Sequence, residues 1–278
     1  MLKKSFILML TTCLLFLVTP TLYAKAVAPE QQAVAPASNP VFQYRDPGFV
    51  NVQYDVKPGL KTKLLIQKGD EKRFYDLQFD QASEVFPLQL GNGDYQISVL
   101  ENVTDNQYRF VLRDSYTLNL DDPTQVYLGS IQNVNWDDSM PFVVAARELT
   151  KHATTDMEKI SILYQFIIEN IEYDEVKAAN PPANYLPKLT EIYEQGTGIC
   201  YDYASLFAGM LRSIGIPTKL VMGDSAFVKQ YHAWNEVYLQ ETNEWLIIDT
   251  TVDAAWLKAN TAFEMIKSHT DYTTKLEY

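Results

Sequence analysis

The sequence predicts an α+β chain in which a small all-β sandwich precedes a domain of helices packed on an antiparallel sheet. Three observations carry this. Between residues 41 and 125, short alternating runs recur at roughly ten-residue spacing, parted by Gly, Pro, Asn and Asp. From about residue 139 the apolar residues recur every three or four positions, the period of a helix face. Beyond Pro217 the period returns to two.

Taken in order, residues 1–26 read as a secretory signal. Lys3 and Lys4 precede an apolar run from Phe6 to Val18, short for a helix that crosses a bilayer. Ala24-Lys25-Ala26 offers a cleavage site, and Leu22-Tyr23-Ala24 a second. Cys13, behind Thr11 and Thr12, matches a lipid-attachment cysteine poorly. The expectation is a soluble product, secreted or otherwise extracytoplasmic, with no stable membrane insertion once the signal is removed. Residues 27–40, rich in Ala, Pro, Gln and Ser, read as a flexible linker. Two units are expected after it, a β-sandwich over 41–125 and a mixed domain over 126–278.

The 23 Lys and Arg residues face 35 Asp and Glu, for a formal net charge of −12. Such a chain repels phosphate backbones and anionic lipid, which disfavours nucleic-acid and membrane-surface roles; the charge also reads simply as solubility. Of the two cysteines, Cys13 leaves with the signal, so no intramolecular disulfide is available to the product. A lone cysteine in an exported protein is exposed to oxidation, and intermolecular pairing or catalysis would account for its presence. One cysteine and three histidines are too few for a thiolate–zinc site of the usual kind, and no metal or cofactor is expected.

In the first unit, Val52–Val56, Lys63–Gln67, Phe74–Phe79, Tyr95–Val99 and Tyr108–Leu112 read as strands. Pro58-Gly59, Lys68-Gly69-Asp70 and Gly91-Asn92-Gly93-Asp94 supply the turns. The stretch Phe86–Ile97 resembles the penultimate hairpin of immunoglobulin-like or fibronectin-III-like modules. No chemical constellation appears here, so the unit reads as a spacer or a binding module.

In the second unit, Ser139 and Pro141 open a helix that runs to about Thr150. Thr155-Asp156-Met157-Glu158 is a capping box, and Ile160, Leu163, Ile167 and Ile171 form a core stripe behind it. Asn180–Asn184 is a loop, and a short helix or turn spans about Pro187–Glu194. Gly196-Thr197-Gly198-Ile199-Cys200 then leads into an amphipathic helix with Ala204, Phe207, Leu211 and Ile214 on one face; Gly215 and Pro217 close it. Cys200 stands in the first turn, where unpaired N–H groups and the helix dipole favour a thiolate. Gly196 and Gly198 are expected to leave room for a substrate backbone to approach the sulfur. A cysteine here also reads as a small buried hydrophobe. Lys219–Met222 is a strand and Gly223–Tyr231 a loop. His232–Leu239 and Trp245–Thr250 are strands joined by Gln240–Asn243, and the tail from Asp253 reads as loop plus a short helix.

A thiol nucleophile needs a base, and the base needs a group to orient it. If Gln240–Asn243 form a four-residue loop, Leu239 faces Glu244 and Trp234 faces Asp249. His232 and Asp249 then share a face as diagonal neighbours, about 7–8 Å apart at the backbone. An aspartate so placed holds one imidazole nitrogen and leaves the other for the cysteine. Singly, His232 reads as a core histidine and Asp249 as a cap. Together with Cys200, on a helix start and two successive strands, they read as a triad.

The run Gly198–Phe207, the segment Met210–Pro217, His232-Ala233-Trp234-Asn235-Glu236-Val237, Trp245 and Asp249-Thr250 resemble the core of the transglutaminase-like superfamily. Ile171-Glu172-Tyr173-Asp174 resembles the segment that precedes it, so the likeness covers about residues 140–256. The resemblance implies a papain-like α+β fold with Cys200 as nucleophile, His232 as acid and base, and Asp249 as orienter. It also implies acyl transfer through a thioester. Gln195 is a candidate oxyanion donor in the manner of papain-like enzymes; Asp202 would favour the helix start, and Trp234 would shield the His–Asp contact. The expected substrate is a peptide or protein, cell-wall peptide included, with hydrolysis preferred to crosslinking because the enzyme works in water and no amine site is visible. The alternatives are a crosslinking transglutaminase, or a surface adhesion or scaffold protein with a vestigial triad.

Overall fold

The alternating runs of the first half become seven strands: β1 (Phe42–Arg45), β2 (Phe49–Val52), β3 (Thr62–Lys68), β4 (Glu71–Asp76), β5 (Glu84–Pro87), β6 (Gly93–Thr104) and β7 (Gln107–Leu118). The computed structural model describes residues 41–182 and 184–278; the expected signal 1–26, with Cys13, and the linker 27–40 lie outside the described residues. The strands pair in the orders β1-β2-β5 and β4-β3-β6-β7, antiparallel throughout. Val50, Val52, Leu64, Ile66, Phe86, Ile97 and Val99 are buried between the two sheets, which makes the unit a sandwich.

Three strand expectations shift. The strand expected over Val52–Val56 ends at Val52, because β2 is buried on both faces and therefore does not alternate. Its second face carries Phe49, which belongs to the core of the following domain. The strand expected over Phe74–Phe79 lies earlier, at β4, set by its pairing with β3. Phe86–Ile97 is no hairpin, since β5 pairs with β2 while β6 pairs with β3 and β7. The chain crosses between sheets there, and the Tyr95 hydroxyl fixes the crossing by donating to the carbonyls of Leu88 (2.9 Å) and Gly91 (2.7 Å).

After a 3-10 turn at Pro123–Leu128 come α1 (Pro141–Thr150), α2 (Asp156–Asn170), β8 (Glu172–Tyr173), α3 (Glu175–Ala179), α4 (Leu189–Gln195), β9 (Thr197–Gly198) and α5 (Cys200–Ser213). The capping box starts α2: the Glu158 N–H donates to Thr155 Oγ1, and the Glu158 carboxylate accepts from the N–H groups of Thr154 and Thr155. Helix α5 is the centre of the domain, with every residue from Asp202 to Ser213 buried. It lies on a five-stranded antiparallel sheet of β10 (Thr218–Ser225), β11 (His232–Leu239), β12 (Glu244–Ile248), β13 (Ile266–Lys267) and β14 (Tyr272–Glu277), in the order β13-β12-β11-β10-β14. Helix α6 (Thr250–Lys258) follows β12 directly.

The tail corrects one expectation. Beyond α6 it returns to the sheet as β13 and β14, and β14 pairs with β10, some fifty residues earlier in the chain. A short strand whose partner is that remote leaves little local pattern. No helix among the described residues is long and apolar enough to cross a membrane.

Candidate active site

The first turn of α5 presents Cys200 at the edge of the core, half-buried and as a free thiol. The sheet brings His232 to it. Leu239 pairs with Glu244 and Asn235 with Ile248, the register of a four-residue loop. His232 opens β11, and Asp249 follows β12 as the residue that caps α6, its Oδ1 accepting from the Val252 N–H at 3.1 Å. The other carboxylate oxygen, Oδ2, lies 2.8 Å from His232 Nε2. Both residues are buried, His232 at 2 % exposure and Asp249 at 0 %.

Asp249 therefore holds Nε2, and Cys200 is near enough to the ring to raise its basicity. Burial alone would lower the basicity of His232. The hydrogen bonds from Asp249 and Cys200, together with their negative charge, outweigh it and push its pKa up to about 10. The arrangement keeps a proton on the imidazole beside the sulfur. It can carry nucleophilic attack by sulfur, followed by delivery of that proton to a leaving group.

The supporting residues divide. Trp234 is buried, with its ring 6.3 Å from His232 in a stacked arrangement, and it covers the pair. Asp202 reaches back to the Ile199 N–H at 2.8 Å, the helix-start role expected of it. It also accepts from Lys177 Nζ and the Tyr185 hydroxyl, each at 2.6 Å, which ties α3 and the following loop to the cysteine helix. Gln195 stands exposed as the last residue of α4, and among the described residues it makes no hydrogen bond to the site.

The glycines have structural tasks of their own beside the expected clearing of space for substrate. Gly196 caps α4 at φ +64°, a conformation that favours glycine. A Cβ at Gly198 would sit 2.6 Å from the Asp202 Cβ. Gly198 makes room for the carboxylate that starts α5.

Two residues at the site carried no role from the sequence. Tyr173 on β8 pairs with Gly198 and lies near the sulfur; burial first, then the charge of Cys200, push its pKa up to about 12. Its segment is in the quoted Ile171–Asp174 motif, but nothing local ties it to Cys200. Tyr272, from β14, donates its hydroxyl to Asp249 Oδ2 at 2.9 Å.

Comparison with known proteins adds the family. Residues 144–250 match the model of the transglutaminase-like superfamily. Kyphoscoliosis peptidase of Homo sapiens is 32% identical over 114 residues, which are 37% of this chain and 17% of that protein; its Mus musculus counterpart matches to the same extent. The chain thus spans less than a fifth of the length of these relatives. Among solved structures, the periplasmic domain of TgpA from Pseudomonas aeruginosa aligns with a TM-score of 0.40 at 18% identity, over 78% of this chain and 74% of that one. Red sea bream transglutaminase aligns at 0.32 and 14%, over 73% and 48%. The segment that carries Cys200, His232 and Asp249 belongs to the transglutaminase-like superfamily, whose members are generally cysteine-based enzymes.

Proposed function

We propose that the chain is an exported thiol enzyme that acts on amide bonds of peptides or proteins, with Cys200, His232 and Asp249 as its triad. One observation carries this reading: a buried imidazole, held by a buried carboxylate at 2.8 Å, faces the only thiol outside the expected signal segment, and that thiol opens a helix. Export rests on the sequence of residues 1–26.

In this mechanism the thiol proton already rests on His232, and the thiolate attacks the amide carbonyl carbon. The negative charge that develops on the carbonyl oxygen needs donors, and the Cys200 N–H has no acceptor within α5 because it lies in the first turn. As the tetrahedral intermediate collapses, the C–N bond breaks and His232 protonates the departing nitrogen. The acyl group remains on sulfur as a thioester. Water then attacks, His232 takes its proton, and the carboxylic acid leaves with the thiol restored. If an amine replaced water in this second step, the same groups would form a new amide. We favour water, because an exported enzyme works in water and no amine site is visible beside Cys200 among the described residues. The substrate class includes cell-wall peptide. The sandwich serves as a spacer or binding module ahead of the enzyme domain.

Two measurements test this. Iodoacetamide should label the wild type at pH 6 far faster than it labels a free thiol, and Cys200→Ala should take up no label. Incubation with peptides, with and without an added primary amine, should then give cleavage or deamidation that the amine does not alter. Slow labelling would end the thiol-enzyme reading, and amine-dependent product would assign crosslinking instead.

A further inference from the structure

We propose that Tyr272 is a positioning residue for the triad: its hydroxyl, 2.9 Å from Asp249 Oδ2, shares that oxygen with His232 Nε2 and limits how tightly the carboxylate holds the imidazole. The proposal rests on the triad reading above. It goes beyond the family, since Tyr272 lies past residue 250, where the family match ends.

The geometry gives Tyr272 no other obvious task. Its backbone is placed by the pairing of β14 with β10, where it faces Ser225. Its ring packs 4.9 Å from Trp234 and 5.9 Å from Phe227, leaving the hydroxyl end against Asp249. Burial and then the neighbouring Asp249 push the phenol pKa well above its ordinary value, so the hydroxyl is a donor throughout the working range. Asp249 accordingly receives three donors: the Val252 N–H on Oδ1, and His232 and Tyr272 on Oδ2.

A carboxylate oxygen that already accepts a phenol hydrogen bond is a weaker partner for an imidazolium. That matters because His232 must give its proton to a departing nitrogen, and Asp249 and Cys200 together make it strongly basic. Tyr272 offsets part of this. The other charged or titratable groups near the pair are Cys200 at the start of α5, Tyr164 on α2, Asp253 one turn along α6, and Asp271 just before β14. Asp253 has its own partners in Lys267 and the Tyr164 hydroxyl, which leaves Tyr272 as the side-chain donor that Asp249 shares with His232.

The test uses the chain after residues 1–26, in which Cys200 is the one thiol to label. It has three histidines, His152, His232 and His269, so ¹⁵N-histidine NMR follows each imidazole through a pH titration. Tyr272→Phe removes the donor, and His232 should titrate higher by about half a unit to one unit. Site-specific 3-fluorotyrosine at position 272 strengthens the donor while keeping the ring, and His232 should titrate lower. If the Phe variant does not fold, the fluorinated protein alone decides by the direction of its shift. A His232 titration that stays at the wild-type position in every folded variant, with only the melting temperature changed, would reduce Tyr272 to packing and overturn the proposal. Iodoacetamide labelling at pH 6 runs in parallel. If the wild type labels slowly, the triad reading fails, while the NMR shift still reports whether Tyr272 sets the His232–Asp249 pair.

Discussion

Lys177 Nζ lies 2.6 Å from Oδ2 of Asp202, and Asp202, two residues along from Cys200, has no surface exposed to solvent. A carboxylate buried that close to a sulfur would oppose the formation of a thiolate. The lysine, reaching in from α3, cancels its charge. Removing one partner of a buried pair leaves the other uncompensated, a larger loss than removing both. Lys177→Met should therefore destabilise the protein by about 3 kcal/mol in urea unfolding and slow alkylation of Cys200 several-fold. The double variant Lys177→Met, Asp202→Asn should recover most of the stability.

Gly198→Ala tests the first turn of α5 from the other side. The new methyl would meet the Asp202 Cβ at 2.6 Å, and the Asp202 carboxylate is already fixed by Ile199, Lys177 and Tyr185. Overpacking of this sort costs about 1–3 kcal/mol. Thermal melting should show the loss, and alkylation should slow because the turn that carries Cys200 has to shift. A variant that melts with the wild type would return Gly198 to the role of clearing space for substrate.

What was legible in the sequence follows from how local each signal is. An even-length loop fixes which faces two strands share, so the joint placement of His232 and Asp249 could be read from residues 232–249 alone, and the pairing of Leu239 with Glu244 agrees. The capping box at Thr155 and the start of α5 at Cys200 are equally local and stand where expected. Tyr272 was not legible, because β14 reaches the site only by pairing with β10 across some fifty residues. Nor was the role of Gly198, since it depends on where the Asp202 side chain turns. Strand β2 was misplaced because its two faces serve two cores, Val50 and Val52 on one and Phe49 on the other, which erases alternation.

His232 gives stability a pH dependence of known sign. Its folded pKa, about 10, lies above the ordinary value of 6.5. The folded state therefore holds a proton that the unfolded chain releases between those values. The stability it contributes is complete below pH 6.5 and is lost as pH rises through 10. In Cys200→Ala the contributions of the sulfur disappear while that of Asp249 stays, so the His232 titration should move down, and the loss of stability, still beginning near pH 6.5, should be smaller and complete at lower pH. Urea midpoints at pH 6, 8 and 10 for the wild type, Cys200→Ala and His232→Gln check this. A slope that His232→Gln leaves unchanged would assign it to other groups.

Arg212 ties the segment that follows the sandwich to the sheet of the second unit. It is buried on α5, and its guanidinium donates in three directions at 2.9 Å each: Nε to the carbonyl of Thr218 at the start of β10, Nη1 to that of Gly129 after the 3-10 turn, and Nη2 to that of Tyr278 beyond β14. Burial pulls its pKa down to about 9, yet the fork geometry satisfies three carbonyls at once, which a lysine ammonium on one flexible stem cannot do. Arg212→Met removes the charge and takes a donor from all three oxygens, of which that of Tyr278 keeps the Leu220 N–H at 3.0 Å. At about 1–3 kcal/mol for each unsatisfied buried group, less relaxation, a loss of about 3–5 kcal/mol is expected. Arg212→Lys should recover only part of it. Because Gly129 lies between the sandwich and α1, its release should also open residues 129–140 to protease while the wild type stays intact. If Arg212→Lys melts and resists protease like the wild type, one point charge is enough, and the three-way fork is not what holds residues 129–140 in place.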